Sequence, residues 1–291
     1  MPELPEVEVT RRAIAPHLVG RRIVKVSTTA PSYFFLTPPA RLKRALTGRT
    51  VVRVDRHGKY LVALLDDETR LLLHLGMTGQ LFVAGARSVR LLSAERRSTL
   101  APSAQPKFRP DQHTHLTLEF AGGPAALYFR DIRKFGKVRL LAKGQADPRL
   151  DKLGVDALVA TGEELYAAAR RRKSPIKSLL LDQGVIAGIG NIYADEALFF
   201  AEIRPTRAAR RLTRAECDTL VQAARRVLER AIVQGGSSID DFVRPDGSDG
   251  GYQHERKVYA REGEACPRCG APIKRVVLAT RSAHFCAACQ R

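Results

Sequence analysis

The stretch TVVRVDRHGKYLVALLDDETRLLLHLGMTGQLFVA at 50–84 is a series of short apolar runs separated by polar turns. The runs at 50–54, 60–65, 70–75 and 80–84 are rich in Val, Leu, Phe or Tyr, which is typical of β-strands, and Asp66-Asp67 separates two of them. Similar runs flank this stretch at 22–26, 115–120, 126–130 and 137–141. Many short strands at this spacing predict an antiparallel sandwich or barrel.

The strand series has a helix in front of it and an interruption inside it. From Leu4 to Leu18 the apolar positions recur at helical spacing, and Arg11 is the one break in that stripe. Residues 86–112 are mixed polar and basic, and they predict a long surface loop between two strands.

Beyond about residue 150 the apolar residues recur at helical spacing. Residues 163–172 predict one helix, and Ser174 followed by Pro175 predicts an N-cap with proline in the first turn of the next. Thr213 and Glu216 form a capping-box pattern at the start of a long helix.

A glycine-rich segment, GVIAGIG at 184–190, precedes Asn191, which we predict to be a helix N-cap. Glycines let a backbone approach a ligand closely, and a helix N-terminus attracts anions, so this segment is a candidate phosphate site. The basic residues at 170–173 add positive charge. The simpler alternative is a capped helix after a flexible turn.

The charge balance favours a polyanionic partner. The chain has 291 residues, enough for about two domains, and a formal net charge of +19 with a pI near 10.3. Such an excess attracts nucleic acid or an acidic membrane. No apolar stretch approaches the roughly 20 residues of a membrane-spanning helix, and an acidic, proline-containing start is unlike a signal peptide. We therefore expect a soluble intracellular protein.

Four of the five cysteines lie in two CxxC pairs near the C-terminus. They are Cys266, Cys269, Cys286 and Cys289. This spacing predicts one tetrahedral zinc ion held by four thiolates, and a site closed by four sulfurs is structural. Disulfides are the alternative, which an intracellular location disfavours. The fifth cysteine, Cys217, lies on the apolar face of a helical pattern, so we expect it to be buried.

Several motifs, in order along nearly the whole chain, together resemble the formamidopyrimidine-DNA glycosylase family. The motifs are PELPEVE (2–8), HLGMTG (74–79), RDIRKFG (130–136), GIGNIYADEALF (188–199), GGSSIDDF (235–242) and the four-cysteine finger. The resemblance implies an α+β fold with three domains. These are an N-terminal catalytic β-sandwich with a leading helix (1–145), a helix–two-turn–helix DNA-binding domain (146–255) and a zinc finger (256–291).

The family resemblance also implies a function. It is base-excision repair of oxidised purines in double-stranded DNA, with strand cleavage by β,δ-elimination at the abasic site, and the cofactor is one structural zinc ion. We expect a monomer in the cytoplasm, associated with the nucleoid.

The chemistry of Pro2 fits this family. Once Met1 is removed, Pro2 carries a secondary α-amino group with a pKa of about 8, so part of it is unprotonated near neutral pH. Attack of this amine on C1′ of a deoxyribose gives an iminium ion, which acidifies the C2′ hydrogen and promotes loss of the 3′ phosphate. The alternative for Pro2 is an ordinary helix-start proline.

The resemblance assigns roles to further residues. Glu3 matches the proton donor. Glu6 lies one turn later, where its position suits it to orient the site and to complement the helix dipole. Lys59 matches the lysine of the β-elimination step and of a contact with phosphate near the lesion. Arg281 matches the arginine of δ-elimination and phosphate binding. For each cation alone, a solvated surface residue is the simpler interpretation.

Extrusion of the damaged nucleotide leaves a gap in the base stack that the protein fills. The resemblance assigns this to Met77, Arg133 and Phe135, although Met77 and Phe135 alone also fit a buried core. Phosphate contacts follow from the same resemblance, and a lesion-capping mobile loop is implied at 244–259. The phosphate-contact residues are His113, Arg172, Asn191 and Tyr252.

Two alternatives to this function remain. A non-catalytic DNA-binding protein could use the same scaffold, and the presence of Pro2, Glu3 and Lys59 together argues against it. Specificity for oxidised pyrimidines, as in endonuclease VIII, is disfavoured by the gap-filling residues. The chain also departs from the family in QHTH around His113 and in the length of the 86–112 connection.

The long connection generates a prediction. Residues 88–106 contain three arginines against one glutamate. If these cations bind DNA phosphates, deleting 88–106 flattens the slope of log Kd against log salt by about one unit for each phosphate that is no longer neutralised. Fluorescence anisotropy over a salt series measures this slope, and an unchanged slope contradicts the prediction.

Overall fold

The computed structural model describes residues 1–87, 107–123 and 125–291, which form two compact units. One unit is Met1–Asp147 with Gln234–Gly251, and the other is Pro148–Val233 with Tyr252–Arg291.

Residues 234–251, which the sequence analysis places in the helical part, therefore pack with the N-terminal unit. The three-domain boundaries stay a prediction. Of the connection predicted at 86–112, residues 88–106 lie outside the described residues.

The elements of the first unit are α1 (Leu4–Leu18), β1 (Ile23–Thr28), α2 (Pro39–Leu46), β2 (Val51–His57), β3 (Tyr60–Leu65), β4 (Arg70–His74), β5 (Gly79–Val83), β6 (Thr114–Phe120), β7 (Ala125–Asp131) and β8 (Lys137–Leu141). The strands form two antiparallel four-stranded sheets, in the orders β2-β3-β4-β8 and β1-β6-β7-β5. The eight predicted strands are confirmed, with ends that differ by at most three residues. Helix α2 was not predicted, although Leu42 and Leu46 have helical spacing and are both buried.

One apolar cluster joins both sheets and α1, which makes the unit a β-sandwich as predicted. Leu61 and Leu73 come from one sheet, and Leu118 and Phe129 from the other. Helix α1 contributes Val7, Ile14 and Leu18 to the same cluster. The sandwich therefore holds α1, and with it the N-terminus of the chain, against the strands.

The second unit is helical and ends in a β-hairpin. Its elements are α3 (Pro148–Asp151), β9 (Val155–Asp156), α4 (Gly162–Ala169), α5 (Ile176–Leu180), β10 (Ile186–Ala187), α6 (Asn191–Phe200), α7 (Arg214–Val233), β11 (Ile273–Leu278) and β12 (Arg281–Cys286). The capping box at Thr213 is confirmed, because its backbone N–H donates to Glu216 Oε2 at 2.8 Å and Glu216 N–H donates to Thr213 Oγ1 at 3.2 Å.

Two predicted N-caps are wrong by one residue. The residue that caps α5 is Pro175 and not Ser174, because residues 175 and 208 form an antiparallel bridge that keeps the chain extended up to Pro175. The cap of α6 is Gly190 and not Asn191, because Gly190 is extended at φ −130°, ψ −159° and Asn191 is already helical. The glycine-rich segment before it is anchored, since β10 pairs in parallel with β9.

No helix within the described residues has the combination of length and apolarity that crossing a bilayer requires.

Two loops of the sandwich, 75–78 between β4 and β5 and 132–136 between β7 and β8, are fixed by the buried carboxylate of Asp131. Its Oδ1 accepts from Thr78 Oγ1 at 2.5 Å and from the Arg133 N–H at 3.2 Å, and its Oδ2 accepts from the Gly136 N–H at 2.6 Å. Asp131 has no exposed surface, so these donors replace the water that an ionised carboxylate loses on burial. One side chain therefore fixes both loops.

The two loops also touch through Gly76, which generates a prediction. Gly76 has φ +66°, and a Cβ there would lie 2.5 Å from the Phe135 carbonyl carbon. Gly20 has a similar φ of +76°, but a Cβ there meets nothing within 4 Å among the described residues. Both alanine variants lose about 1 kcal/mol to the left-handed backbone, and we expect Gly76→Ala to lose a further ~1–3 kcal/mol from the steric overlap.

Urea unfolding of Gly76→Ala and Gly20→Ala measures the difference. Equal losses in the free energy of unfolding would show that the two loops are not in tight contact.

Candidate active site and metal centre

The start of α1 brings together three of the predicted catalytic residues. Pro2 is buried, and Glu3 and Glu6 are each only 2% exposed. Glu6 Oε2 accepts from the Glu3 N–H at 2.8 Å, and Glu6 Oε1 accepts from the Ser237 N–H at 2.9 Å. Both oxygens of Glu6 are thus engaged by backbone donors, which suits the orienting role predicted for it rather than proton transfer.

Met1 determines the chemical state of Pro2. The terminal nitrogen of Met1 lies 3.5 Å from Asp240 Oδ2, and the nitrogen of Pro2 is in the peptide bond that joins the two residues. An amide nitrogen is not a nucleophile. Removing Met1 converts the Pro2 nitrogen into an amine at the start of α1.

Lys59 lies in the two-residue turn between β2 and β3, with His57 paired to Tyr60 across the turn. It is only 7% exposed. Lysine is almost never buried unless it is paired, because its ammonium group loses hydration. Both residues of this turn are buried, and the role of Lys59 in β-elimination stays a prediction.

The three predicted gap-filling residues lie on the two loops fixed by Asp131. Met77 is 36% exposed and Phe135 is 41% exposed, so neither is a core residue. The Arg133 guanidinium carbon lies 4.4 Å from the centroid of the Phe135 ring. The Tyr33 hydroxyl donates to the Arg133 carbonyl at 2.8 Å. Exposed apolar and cationic side chains therefore lie on the two loops that Asp131 connects.

His113 lies beside the same loop pair. Its carbonyl accepts from the Asp131 N–H at 2.9 Å, and its own N–H donates to Asp111 Oδ1 at 3.0 Å. The backbone at His113 is thus fixed, while its predicted phosphate contact stays a prediction.

Arg281, in the second unit, is exposed at the first position of β12. The preceding residues Ala279 and Thr280 have φ of +45° and +69°, so the β11–β12 hairpin turns tightly through two left-handed residues that are not glycine. This strained turn places Arg281 at the end of the hairpin.

A buried charge cluster that the sequence analysis did not identify holds β12. Lys177 Nζ lies 2.6 Å from Asp195 Oδ1, and both side chains are fully buried. Lys177 also donates to the Ser282 carbonyl, and the His284 N–H donates to Asp195 Oδ2 at 2.9 Å. The sequence signal for this cluster was the presence of charged residues within the apolar runs of α5 and α6.

The other predicted phosphate contacts of this unit differ in exposure. Arg172 is exposed, and it pairs with Asp182 at 3.2 Å. Asn191 has a buried side-chain oxygen with no hydrogen-bond partner among the described residues, so this oxygen can still accept a hydrogen bond. Tyr252 is buried, with its ring 5.4 Å from that of Tyr193. All three contacts stay predictions.

The segment predicted to be a mobile capping loop, 244–259, is tied down over its first residues. The Val83 N–H donates to the Pro245 carbonyl at 3.1 Å, and the Gly250 N–H donates to Ser238 Oγ at 2.9 Å. Movement of residues 244–251 would have to break these bonds.

The four cysteines of the finger converge as predicted. Their sulfur atoms all lie within 4.8 Å of one another, with Cys266 to Cys289 at 3.9 Å and Cys269 to Cys286 at 3.5 Å. Zinc–sulfur bonds of about 2.3 Å in a tetrahedron require sulfur separations of about 3.8 Å. The donor set therefore fits one structural zinc ion, and all four cysteines are free of disulfides.

Cys217, the fifth cysteine, is buried on α7, and burial raises its thiol pKa to about 11. It is an apolar packing residue, as predicted.

Zinc content tests the metal site. We expect one zinc ion per chain, and we expect Cys269→Ser to lose most of it, because three thiolates and a hydroxyl bind zinc far more weakly. Cys217→Ala, outside the finger, is the matched control and retains zinc. Elemental analysis of the purified proteins measures both, and full zinc occupancy in Cys269→Ser contradicts the assignment.

Three family models match successive parts of the chain. Residues 1–138 match the formamidopyrimidine-DNA glycosylase N-terminal domain, and residues 153–243 match the H2TH domain of the same enzymes. Residues 263–291 match a zinc finger found in FPG and IleRS.

Curated relatives agree with these matches over the full length. The chain is 42% identical to the formamidopyrimidine-DNA glycosylase of Thioalkalivibrio sulfidiphilus and 41% identical to that of Hahella chejuensis. Both alignments cover all of this chain and all of the relative.

Solved structures show the same similarity. A Lactococcus lactis FPG mutant in complex with Fapy-dG-containing DNA matches with a TM-score of 0.85 and 34% identity over the whole of both chains. L. lactis Fpg in complex with abasic-site DNA matches with a TM-score of 0.84 and 34% identity over 99% of both chains. MutM (FPG) from Thermus thermophilus matches with a TM-score of 0.83 and 37% identity, over 99% of this chain and 98% of that one. The chain therefore belongs to the formamidopyrimidine-DNA glycosylase family and is a DNA glycosylase.

Proposed function

We propose that the chain, after loss of Met1, removes oxidised purines such as 8-oxoguanine and formamidopyrimidines from double-stranded DNA and then cleaves the strand by β,δ-elimination. The observation that carries this proposal is the burial of Pro2 and Glu3 at the start of α1, with the buried Lys59 in the same compact unit. A titratable side chain loses hydration energy when it is buried, and such unfavourable burial is common in active sites.

The chemistry begins with the freed amine. The Pro2 nitrogen attacks C1′ of the damaged nucleotide, and the glycosidic bond breaks. The C1′–O4′ bond then breaks, which opens the sugar ring and leaves a double bond between C1′ and the Pro2 nitrogen, while Glu3 supplies a proton to the sugar oxygen or the departing base. The resulting secondary-amine iminium is cationic without a proton, so its charge is independent of pH. Glu6 keeps the helix start in place through the Glu3 and Ser237 N–H groups.

Strand cleavage follows from the iminium. Lys59 assists removal of the C2′ proton, the C2′–C3′ double bond forms, and the 3′ phosphate leaves with the bonding electrons. Arg281 binds phosphate and promotes the second elimination, which releases the 5′ phosphate. Hydrolysis of the iminium then restores the amine.

Recognition requires that the damaged nucleotide leave the stack. Met77 and Phe135 fill the gap, and Arg133 hydrogen-bonds the orphaned base, a role supported by the exposure of all three on loops fixed by Asp131. His113, Arg172, Asn191 and Tyr252 contact phosphates. The partner is damaged duplex DNA, and the protein acts as a monomer in the cytoplasm, at the nucleoid.

Borohydride trapping tests the mechanism. Incubation with a duplex containing 8-oxoguanine opposite cytosine, followed by borohydride, is expected to reduce the iminium to a stable protein–DNA adduct. Pro2→Gly is expected to lose at least about 100-fold in adduct yield, because a secondary amine at this position is lost. Pro5→Ala, which changes the other proline of the same helix start, is the matched control and retains trapping.

Two further experiments distinguish the proposed function from its alternatives. Intact mass is expected to show Met1 absent from active protein, and a version extended before Met1 is expected to bind DNA without trapping. A duplex with an oxidised pyrimidine tests the endonuclease VIII-like specificity. Binding of damaged DNA by properly processed protein with no adduct on any substrate would favour the non-catalytic alternative.

A further inference from the structure

The predicted catalytic residues of the first unit lie on two separate elements. Pro2 and Glu3 are at the start of α1, whereas Lys59 is in the turn between β2 and β3. The β-elimination step requires these two elements to keep a fixed separation, because a displacement of about 1 Å can reduce a rate about 100-fold. Apolar packing of α1 on the sheet is non-directional, so a directed contact is needed to fix the orientation of this turn relative to α1.

Arg56, the residue before the last of β2, makes contacts on both sides. Its Nη1 donates to the Gly58 carbonyl at 3.0 Å, and this carbonyl belongs to the peptide that joins Gly58 to Lys59. Its Nε lies 3.2 Å from Glu8 Oε2 on α1. The side chain of Arg56 is only 9% exposed. One planar guanidinium therefore links the Lys59 turn to the helix that carries Pro2.

Glu8 is a strong anchor for this link. Burial alone raises the pKa of Glu8, but hydrogen bonds from Arg11 and Arg12 and the charges of Arg11 and Arg56 outweigh burial and hold it at about 2. Arg11 also reaches back to β2, where its Nη1 donates to the Val54 carbonyl at 3.4 Å. Glu8 is therefore ionised near neutral pH.

We propose that Arg56 is a positioning residue for strand cleavage. It holds the Lys59 turn at a fixed position relative to Pro2 and Glu3 by linking the Gly58 carbonyl to Glu8. This inference rests on the proposed role of Lys59 in β-elimination. Arg56 itself need not touch DNA. A lysine at this position keeps the charge but cannot make both directed contacts, because it lacks the planar fork of a guanidinium.

Arg56→Lys tests the proposal, with Arg12→Lys as the matched control. Arg12 binds the same Glu8 carboxylate at 2.7 Å, but its side chain is 60% exposed and it lies on α1, outside the Lys59 turn. On a duplex with a preformed abasic site, we expect Arg56→Lys to reduce the single-turnover rate of strand cleavage about 10- to 100-fold. We expect its KM for DNA and its borohydride adduct yield to stay within about twofold of the parent.

The ratio of cleavage rate to adduct yield is the decisive quantity, because it separates a loss in the elimination step from a loss in iminium formation. A double-mutant cycle with Lys59→Ala adds a second test. If Arg56 acts through Lys59, Arg56→Lys has no further effect on cleavage in the Lys59→Ala background.

The outcomes are distinguishable. An unchanged ratio in Arg56→Lys, or equal effects in Arg56→Lys and Arg12→Lys, overturns the positioning role. Additive losses in the double-mutant cycle also overturn it. Absence of any adduct with the parent protein would instead refute the proposed function on which the inference depends.

Discussion

A carboxylate removed from water must recover its lost hydration from hydrogen bonds or cations, and this requirement fixes the loops that carry the candidate site. Glu6 holds the helix start to the Ser237 backbone, and Asp131 fixes both loops of the gap-filling residues. In the second unit, Asp195 holds β12 through Lys177 and His284. Each of these carboxylates connects segments that apolar packing alone would leave free to move.

Apolar packing and hydrogen bonds to buried carboxylates have different roles in this structure. The sandwich core between the two sheets supplies the apolar burial that keeps α1 and the strands together. Apolar contacts are non-directional, so they do not set the orientation of a turn to within about 1 Å. Hydrogen bonds to buried carboxylates have preferred angles and lengths, and removing one partner leaves a group unsatisfied at a cost of about 1–3 kcal/mol. Hydrogen bonds to buried carboxylates occur in this chain where the proposed chemistry requires a fixed geometry.

Much of the fold was predictable because its signals are local. Alternation and length identified all eight strands of the sandwich, and the capping box located the start of α7. The predicted caps at Ser174 and Asn191 were wrong because pairing with residue 208 and the extended backbone of Gly190 decide where those helices begin. Helix α2 was missed, although its leucine spacing was visible. Local propensity does not predict a bridge between residues 175 and 208, because they are far apart in the chain.

The sequence by itself determined the four-sulfur metal site, the strands of the sandwich, several of the helices, and the motifs that identify the family, since each is written in residue type and spacing. Only the tertiary structure decided that Met77 and Phe135 are exposed, that Lys59 is buried, and that Arg56 links its turn to Glu8. The physical reason is that burial and charge pairing depend on what surrounds a side chain. Those neighbours come from positions far apart in the chain and meet only when it folds.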